Sequence, residues 1–201
     1  MKKFLRLFYL VIAIFIITSV AIMGILQYQK YVYEKQLKYA QSQVENYNKY
    51  KFASIEYTKL KKSEKDEIYY YGADGKRYVF PDVGTYNTWF PIMVKDINTY
   101  SLEKLYETPL RGNVTCRPGT LIQTPTDPNI YIVIKNGQIR PFNDKNILKS
   151  VYGENWQKLV LEIPNYYFTN YQITSPINSM SYFPAIPENI TIDQDKDLKQ
   201  P

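Results

Sequence analysis

The first stretch of the chain is apolar at every position rather than along one face. From Leu7 to Leu26, LFYLVIAIFIITSVAIMGIL, twenty residues pass without a charge. At ~1.5 Å per residue a helix of that length covers about 30 Å, the thickness of a bilayer's hydrocarbon core. A helix inside a soluble protein is rarely apolar all round for so long. The pattern predicts a transmembrane anchor over residues 7-26, in contact with the lipid bilayer, behind a cytoplasmic flank of residues 1-6. Ser19 and Ala21 form a small-x-small pair of the kind a signal peptidase accepts. The apolar run continues past them through Ile22, Met23, Ile25 and Leu26, which fits a retained signal-anchor better. Lys2, Lys3 and Arg6 precede the span, and Lys30, Lys35 and Lys38 follow it. The α-amino group on the short leading flank tips the balance, so the expected orientation is N-terminus cytoplasmic, with everything after Gln27 outside.

From Gln27 to about Lys65 there is neither proline nor glycine, and good helix formers dominate. The expected element is a helical stalk over residues 27-65. Tyr33, Leu37, Ala40, Val44 and Tyr47 follow a 4-3-4-3 spacing, a heptad seam of about two heptads. Such a short seam suits a helix lying on its own domain as well as it suits self-association through the stalk.

After Asp66 the periodicity changes. Short aromatic and β-branched runs alternate with turn dipeptides, which predicts a small β-rich α+β domain over residues 66-176. Within it, YYYGADGKRYVFPD (residues 69–82) and YIVIKNGQIRPFND (residues 131–144) read alike. Aligning Gly75 with Gly137 brings Ile68 onto Ile130, Tyr69 onto Tyr131, Phe80 onto Phe142 and Asp82 onto Asp144. Asp-Gly and Asn-Gly favour a type I′ turn, with positive φ at both central residues, so each copy is expected to be a hairpin. Pro141 would have to stand at an edge or a strand end. Each hairpin leads into a short helix, capped by Asp82 in one copy and by Asn143 or Asp144 in the other. Tyr86 with Trp89, and Leu148 with Val151, then present one apolar face. The domain is thus expected to be an internal repeat of two hairpin-plus-short-helix units, with Gly75 and Gly137 as structural turns and Trp89, Trp156, Phe80 and Phe142 as core anchors. Between the units, Pro118-Gly119 and Asp127-Pro128 signal turns around a strand from Thr120 to Gln123. Residues 177-201, with several prolines and an acidic end, read as an extended tail, partly docked at most.

Charge changes this picture little. The net charge is +6, yet residues 68–187 hold eleven Lys and Arg against nine acids, a balance of +2 with no basic run. A nucleic-acid footprint is not supported. The single cysteine, Cys116, precludes a disulfide within the chain and reads as a small buried residue.

Catalytic chemistry has few candidates. Without histidine there is no imidazole-dependent triad, and one cysteine with no histidine leaves no zinc site. Ser101 and Lys104 are three apart, the spacing of a helix N-cap beside a solvated lysine. Asp74, Asp82, Asp127 and Asp144 stand in turn or capping positions. Asp193, Asp195 and Asp197 have the one-three-five spacing of a calcium loop, but Leu198 stands where that loop needs glycine. The reading is no enzyme and no cofactor or metal. The twenty-one tyrosines make a binding surface conceivable. Arg77 and Arg140, each just past a hairpin turn, are expected to face solvent, and with Tyr70 and Tyr131 they are the candidate ligand or partner contacts.

From Ile68 to Tyr171 the motifs DGKRYVFPD, TYNTWF, GNVTCRPGT, TDPNIY, VYGENW and FTNY follow in order. This stretch resembles an uncharacterised extracytoplasmic domain recurring in surface and secreted proteins of ultrasmall bacteria with reduced genomes. It departs from that pattern at Cys116, where an aromatic residue is expected. The resemblance implies a cell-envelope location and no assigned enzymatic activity. The expected function is a membrane-anchored, non-catalytic extracytoplasmic module making envelope or cell-contact interactions, with an envelope protein or a glycan as partner. Two alternatives stand beside it: a glycan or wall-polymer binding domain, and a pilin-like filament subunit.

Overall fold

The structure is a computed structural model, and it describes residues 2–50, 60–63, 66–90, 97–187 and 189–198. The chain divides into two compact units, Met1–Tyr39 and Ala40–Pro201. One helix, α1 (Lys2–Tyr50), runs through the whole of the first unit. Its stretch Ile14–Glu45 is long and apolar enough to cross a membrane, and the apolar part is unburied. Phe15, Ile17, Val20, Met23 and Leu26 are all exposed. The two hydroxyls in this run are satisfied inside the helix, since Thr18 Oγ1 and Ser19 Oγ donate to the Phe15 carbonyl at 2.9 and 2.8 Å. That is how a polar side chain is tolerated in hydrocarbon. The expected stalk helix ends earlier than its composition suggested. α1 is described as far as Tyr50, and Leu60–Ser63 is a strand, so the domain begins before Asp66. The heptad interruptions at Lys51 and Ser54 lie outside the described residues.

The second unit is built from one pattern used twice. The first copy comprises β1 (Leu60–Ser63), β2 (Ile68–Tyr71), β3 (Arg77–Val79), α2 (Val83–Trp89), β4 (Thr99–Tyr100), α3 (Leu102–Tyr106) and β5 (Leu110–Asn113). The second comprises β6 (Leu121–Thr124), β7 (Asp127–Val133), β8 (Gln138–Pro141), α4 (Lys145–Tyr152), β9 (Val160–Glu162), α5 (Asn165–Phe168) and β10 (Gln172–Ile173). The sheets run β4-β1-β2-β3-β5 and β9-β6-β7-β8-β10. In both, the central three strands are antiparallel and the two outer strands join in parallel. Even the register repeats. Tyr69 faces Val79 as Tyr131 faces Pro141, and Tyr71 faces Arg77 as Val133 faces Ile139. Phe80 N donates to the Ile68 carbonyl and Phe142 N to that of Ile130, at 3.0 and 2.9 Å. The repeating unit is therefore larger than the expected hairpin plus helix. It includes a strand before the hairpin and a strand-helix-strand after it.

Asp82 and Asp144 cap α2 and α4, each carboxylate accepting a backbone N–H, from Thr85 at 2.6 Å and from Asn146 at 2.8 Å. The two hairpin turns differ. Asn136 and Gly137 are both left-handed, at φ 63° and 65°, whereas in the first turn only Gly75 is, at 73°. The first turn is thus not type I′. Gly72 N donates to the Lys76 carbonyl across a three-residue loop, while Asp74 accepts from Lys76 N and from the Tyr78 hydroxyl. Asp127 and Pro128 lie in β7 rather than in a turn.

The C-terminal segment is part of the core, not an extended tail. Ile177, Met180, Phe183, Ile186, Ile190 and Ile192 are buried. Ile177 N donates to the Pro141 carbonyl at 2.8 Å, the same bond that Val114 N makes to Val79 at 2.9 Å in the first copy. The segment thus covers the second copy where the linker covers the first. α6 (Ile192–Asp195), closed by a Thr191–Gln194 capping box, then reaches both hairpin turns. Asp193 accepts from Ala73 N at 2.9 Å, and Asp195 from Asn136 N at 3.1 Å. The end of α1 belongs to this unit too. Ala40 is fully buried, Gln41 donates to the Ser150 carbonyl and Gln43 accepts from Ile186 N. Of the two readings of the seam, residues from Ala40 onward follow the one in which the helix lies on its own domain.

Candidate functional site

Side chains that face each other across paired strands share one side of a sheet. On the inner side of the first sheet, Leu60, Tyr70 and Tyr78 form one row, and Ile68 and Phe80 lie beside it. Packed with Tyr86, Trp89 and Phe90 around α2, these make one core. Phe80 and Tyr86 meet edge to face, their centroids 5.3 Å apart. The outer side carries Lys61, Tyr69 and Val79 in one row and Tyr71 with Arg77 in the next.

The corresponding side of the second sheet carries Ile122, Tyr131 and Pro141, then Val133 with Ile139. With Cys116 and Ile163, and with Phe168 and Tyr171 packed against them, these residues form an apolar core. So one place in the fold is filled by aliphatic side chains in one copy and by cations and tyrosines in the other. Arg77 stands where the second copy has Ile139, and Lys61 where it has Ile122.

Arg77 is 5% exposed, and its guanidinium lies over the rings of Tyr69 and Tyr106, each centroid 5.0 Å away. Its Nε and Nη1 are buried with no hydrogen-bond partner among the described residues. Among the described residues no carboxylate forms a salt bridge with it. Each unmade bond of a buried polar group costs about 1–3 kcal/mol, while a cation over a ring returns about 0.5–2. Stacking therefore offsets only part of the burial. Tyr106, the other wall, is 67% exposed at the end of α3. Beside this pair, Lys61 and Lys104 lie over the Tyr100 ring at 5.1 and 4.4 Å. The nearby Glu67 is engaged: the Tyr69 hydroxyl donates to it at 2.9 Å, and it contacts Ser63 Oγ. Burial, then this bond to Glu67, raises the Tyr69 hydroxyl above the ordinary tyrosine range, and burial raises Tyr71 likewise. The slot is a tyrosine-walled cationic layer between β2, β3, β4 and α3.

The other expected contacts lie elsewhere. Arg77 is buried rather than solvent-facing. Arg140 is committed to the chain itself, donating to the carbonyls of Ser175 and Tyr182 at 2.7 Å and of Pro176 at 3.3 Å. Burial lowers its pKa. Tyr70 is fully buried in the first core and Tyr131 is buried in the second, so neither side chain is open to a partner. The Tyr131 hydroxyl donates to Asp127 at 2.6 Å, which lowers the Asp127 pKa, and burial and this bond push Tyr131 up to about 12. Trp89, Trp156, Phe80 and Phe142 are all buried, and Trp89 Nε1 donates to the Thr115 carbonyl at 2.8 Å, tying the first copy to the linker. Sequence reasoning missed Tyr69, Tyr100, Tyr106, Lys61 and Lys104. The alternation in IYYY and KRYV places Tyr69, Tyr71, Arg77 and Val79 on one face once the hairpin register is fixed, but nothing local shows that α3 folds over them.

Cys116 is fully buried, and burial pushes its thiol up to about 11, so it carries little thiolate at neutral pH. Ser101 caps α3, accepting from Lys104 N at 3.3 Å. Among the described residues no three acidic, cysteine or histidine side chains converge as metal ligands would. Where the two copies meet, a cleft of about 270 Å³ lies among Val44, Gly84, Thr88, Thr120, Tyr152 and Leu161, with no charged residue in its lining. No protein family, curated protein or solved structure matches this chain.

Proposed function

We propose that the chain is a membrane-anchored, non-catalytic module of the cell surface whose folded domain makes contacts within the envelope or with another cell. The observation that carries this reading is the unburied apolar stretch of α1, joined in one chain to a domain that exposes Tyr106, Tyr166 and Tyr182. On the charge balance of its flanks the N-terminus is cytoplasmic and the domain extracytoplasmic, the setting that the motif order from Ile68 to Tyr171 also implies. Exposed tyrosines are rigid, amphipathic contact groups suited to protein and sugar partners alike. One observation favours a glycan or wall polymer as partner: Tyr166 and Tyr167 lie edge to face 4.3 Å apart on α5, with the Tyr166 ring open to solvent.

The test uses the full chain in lipid nanodiscs, sedimented with isolated cell envelopes before and after their proteins are stripped. Binding that survives stripping supports a glycan or lipid polymer as partner, and binding lost on stripping supports a protein. Failure to sediment with either preparation overturns the reading.

A further inference from the structure

We infer that the slot around Arg77 is a binding site for an oxyanion, a phosphate or carboxylate group carried by an envelope polymer or lipid. This names the ligand chemistry of the interaction module proposed above and rests on that reading. The argument is internal to the molecule. The second copy shows what the architecture needs at this place, since Ile122, Val133 and Ile139 fill it as an apolar core. The first copy keeps strand order, register and covering helix, yet puts Lys61, Tyr71 and Arg77 at those positions. Folding alone does not call for that exchange.

The chemistry left behind is specific. A guanidinium presents N–H groups in a planar fork that matches two oxygens of a carboxylate or phosphate. Here two of those groups, on Nε and Nη1, are buried and unpartnered among the described residues, where no carboxylate forms a salt bridge with the guanidinium. The Tyr69 and Tyr106 rings each stack on the guanidinium carbon at 5.0 Å, which leaves the Nε and Nη1 hydrogens unused by the rings. Lys61 and Lys104, held over Tyr100, add positive charge beside it. The exposed Tyr106 ring is the wall that must swing for a ligand to enter. In the second copy a buried isoleucine takes the place of the guanidinium, so only one of the two copies has a site.

The test is the thermal stability of the full chain in phosphatidylcholine nanodiscs, titrated with inorganic phosphate and separately with acetate at constant ionic strength. Phosphate at about five times its dissociation constant raises Tm by about 2–4 °C. Arg77→Ile, which copies the second repeat, abolishes the response. Arg77→Lys keeps the charge but loses the fork, and binds about ten-fold more weakly; it serves the same purpose should the isoleucine variant not fold. Nanodiscs containing phosphatidylglycerol separate the sources. Stabilisation by that lipid but not by the free ions, lost in the Arg77 variants, assigns the site to a lipid headgroup. An equal response in wild type and variants, or no response to any of the three probes, overturns the inference. Envelope sedimentation that persists in such a case leaves the interaction module standing without this site.

Discussion

Arg77 and Ile139 occupy the same position in two copies of one fold: each lies on the third strand of its sheet, opposite Tyr71 in one copy and Val133 in the other. Ile139 is fully buried in an apolar core, whereas Arg77 is buried against two tyrosine rings with no salt bridge among the described residues. A repeated architecture provides its own control, because the aliphatic solution to the packing problem is present a few strands away.

The first expectation follows from that pair. Replacing a buried charged group by a well-packed aliphatic one is often stabilising. Arg77→Ile is expected to raise unfolding stability by about 1–3 kcal/mol, measured by urea denaturation with tryptophan fluorescence. A loss of stability would mean that the guanidinium is a structural support.

The C-terminal segment gives a pH dependence. Asp195 is buried, with one oxygen bound to Asn136 N and the other without a partner, and burial raises its pKa to about 6. The folded state therefore binds this proton more tightly than the unfolded state. The stabilisation is fully present below the ordinary aspartate range near pH 4 and is lost as pH rises through about 6. Asp195→Asn keeps an oxygen for Asn136 and removes the charge. At pH 8 it is expected to be more stable than wild type by up to about 3 kcal/mol, and the two should converge as pH falls below about 4. Paired thermal melts across this range check it.

Equivalent positions should answer alike. Val114 and Ile177 make the same backbone bond in the two copies, and both are buried. Ile177→Ala is expected to cost about 2–4 kcal/mol and Val114→Ala somewhat less, by the smaller volume removed. A negligible effect at Ile177 would restore the reading of residues 177–201 as a loose tail.

The two turn glycines should differ despite their common place. Both have positive φ, so alanine is strained at either. At Gly75 a Cβ meets nothing within 4 Å, whereas at Gly137 it comes within 3.1 Å of Thr115 Cγ2 and 3.2 Å of the Asn170 carbonyl oxygen. Gly75→Ala is expected to cost about 1 kcal/mol and Gly137→Ala about 2–3, by chemical denaturation.

Much of this architecture is legible in the sequence, for identifiable reasons. The long apolar helix is a matter of composition, and the hairpins announce themselves by alternation and by the Gly75 and Gly137 turns. The caps at Asp82 and Asp144 follow from residue type. What escapes is non-local. β4 and β9 are two and three residues long, too short to carry a pattern, so the strand-helix-strand half of each repeat is hidden. The prolines around residues 176–187 suggest an extended tail, yet Ile177 bridges to Phe142, Phe183 meets the Phe142 and Tyr152 rings, and Ile186 N donates to Gln43 of α1. Arg77 and Arg140 both follow a turn, but Arg140 aligns with Tyr78 rather than with Arg77, and that offset of one residue puts the two on opposite sheet faces.

The claim beneath all of this is that the unburied apolar stretch of α1 holds the protein in a membrane. Alkaline carbonate extraction of membranes from cells making the full chain tests it directly. Retention of the intact chain in the membrane pellet is the expected result. Recovery of the folded domain in the supernatant would contradict it.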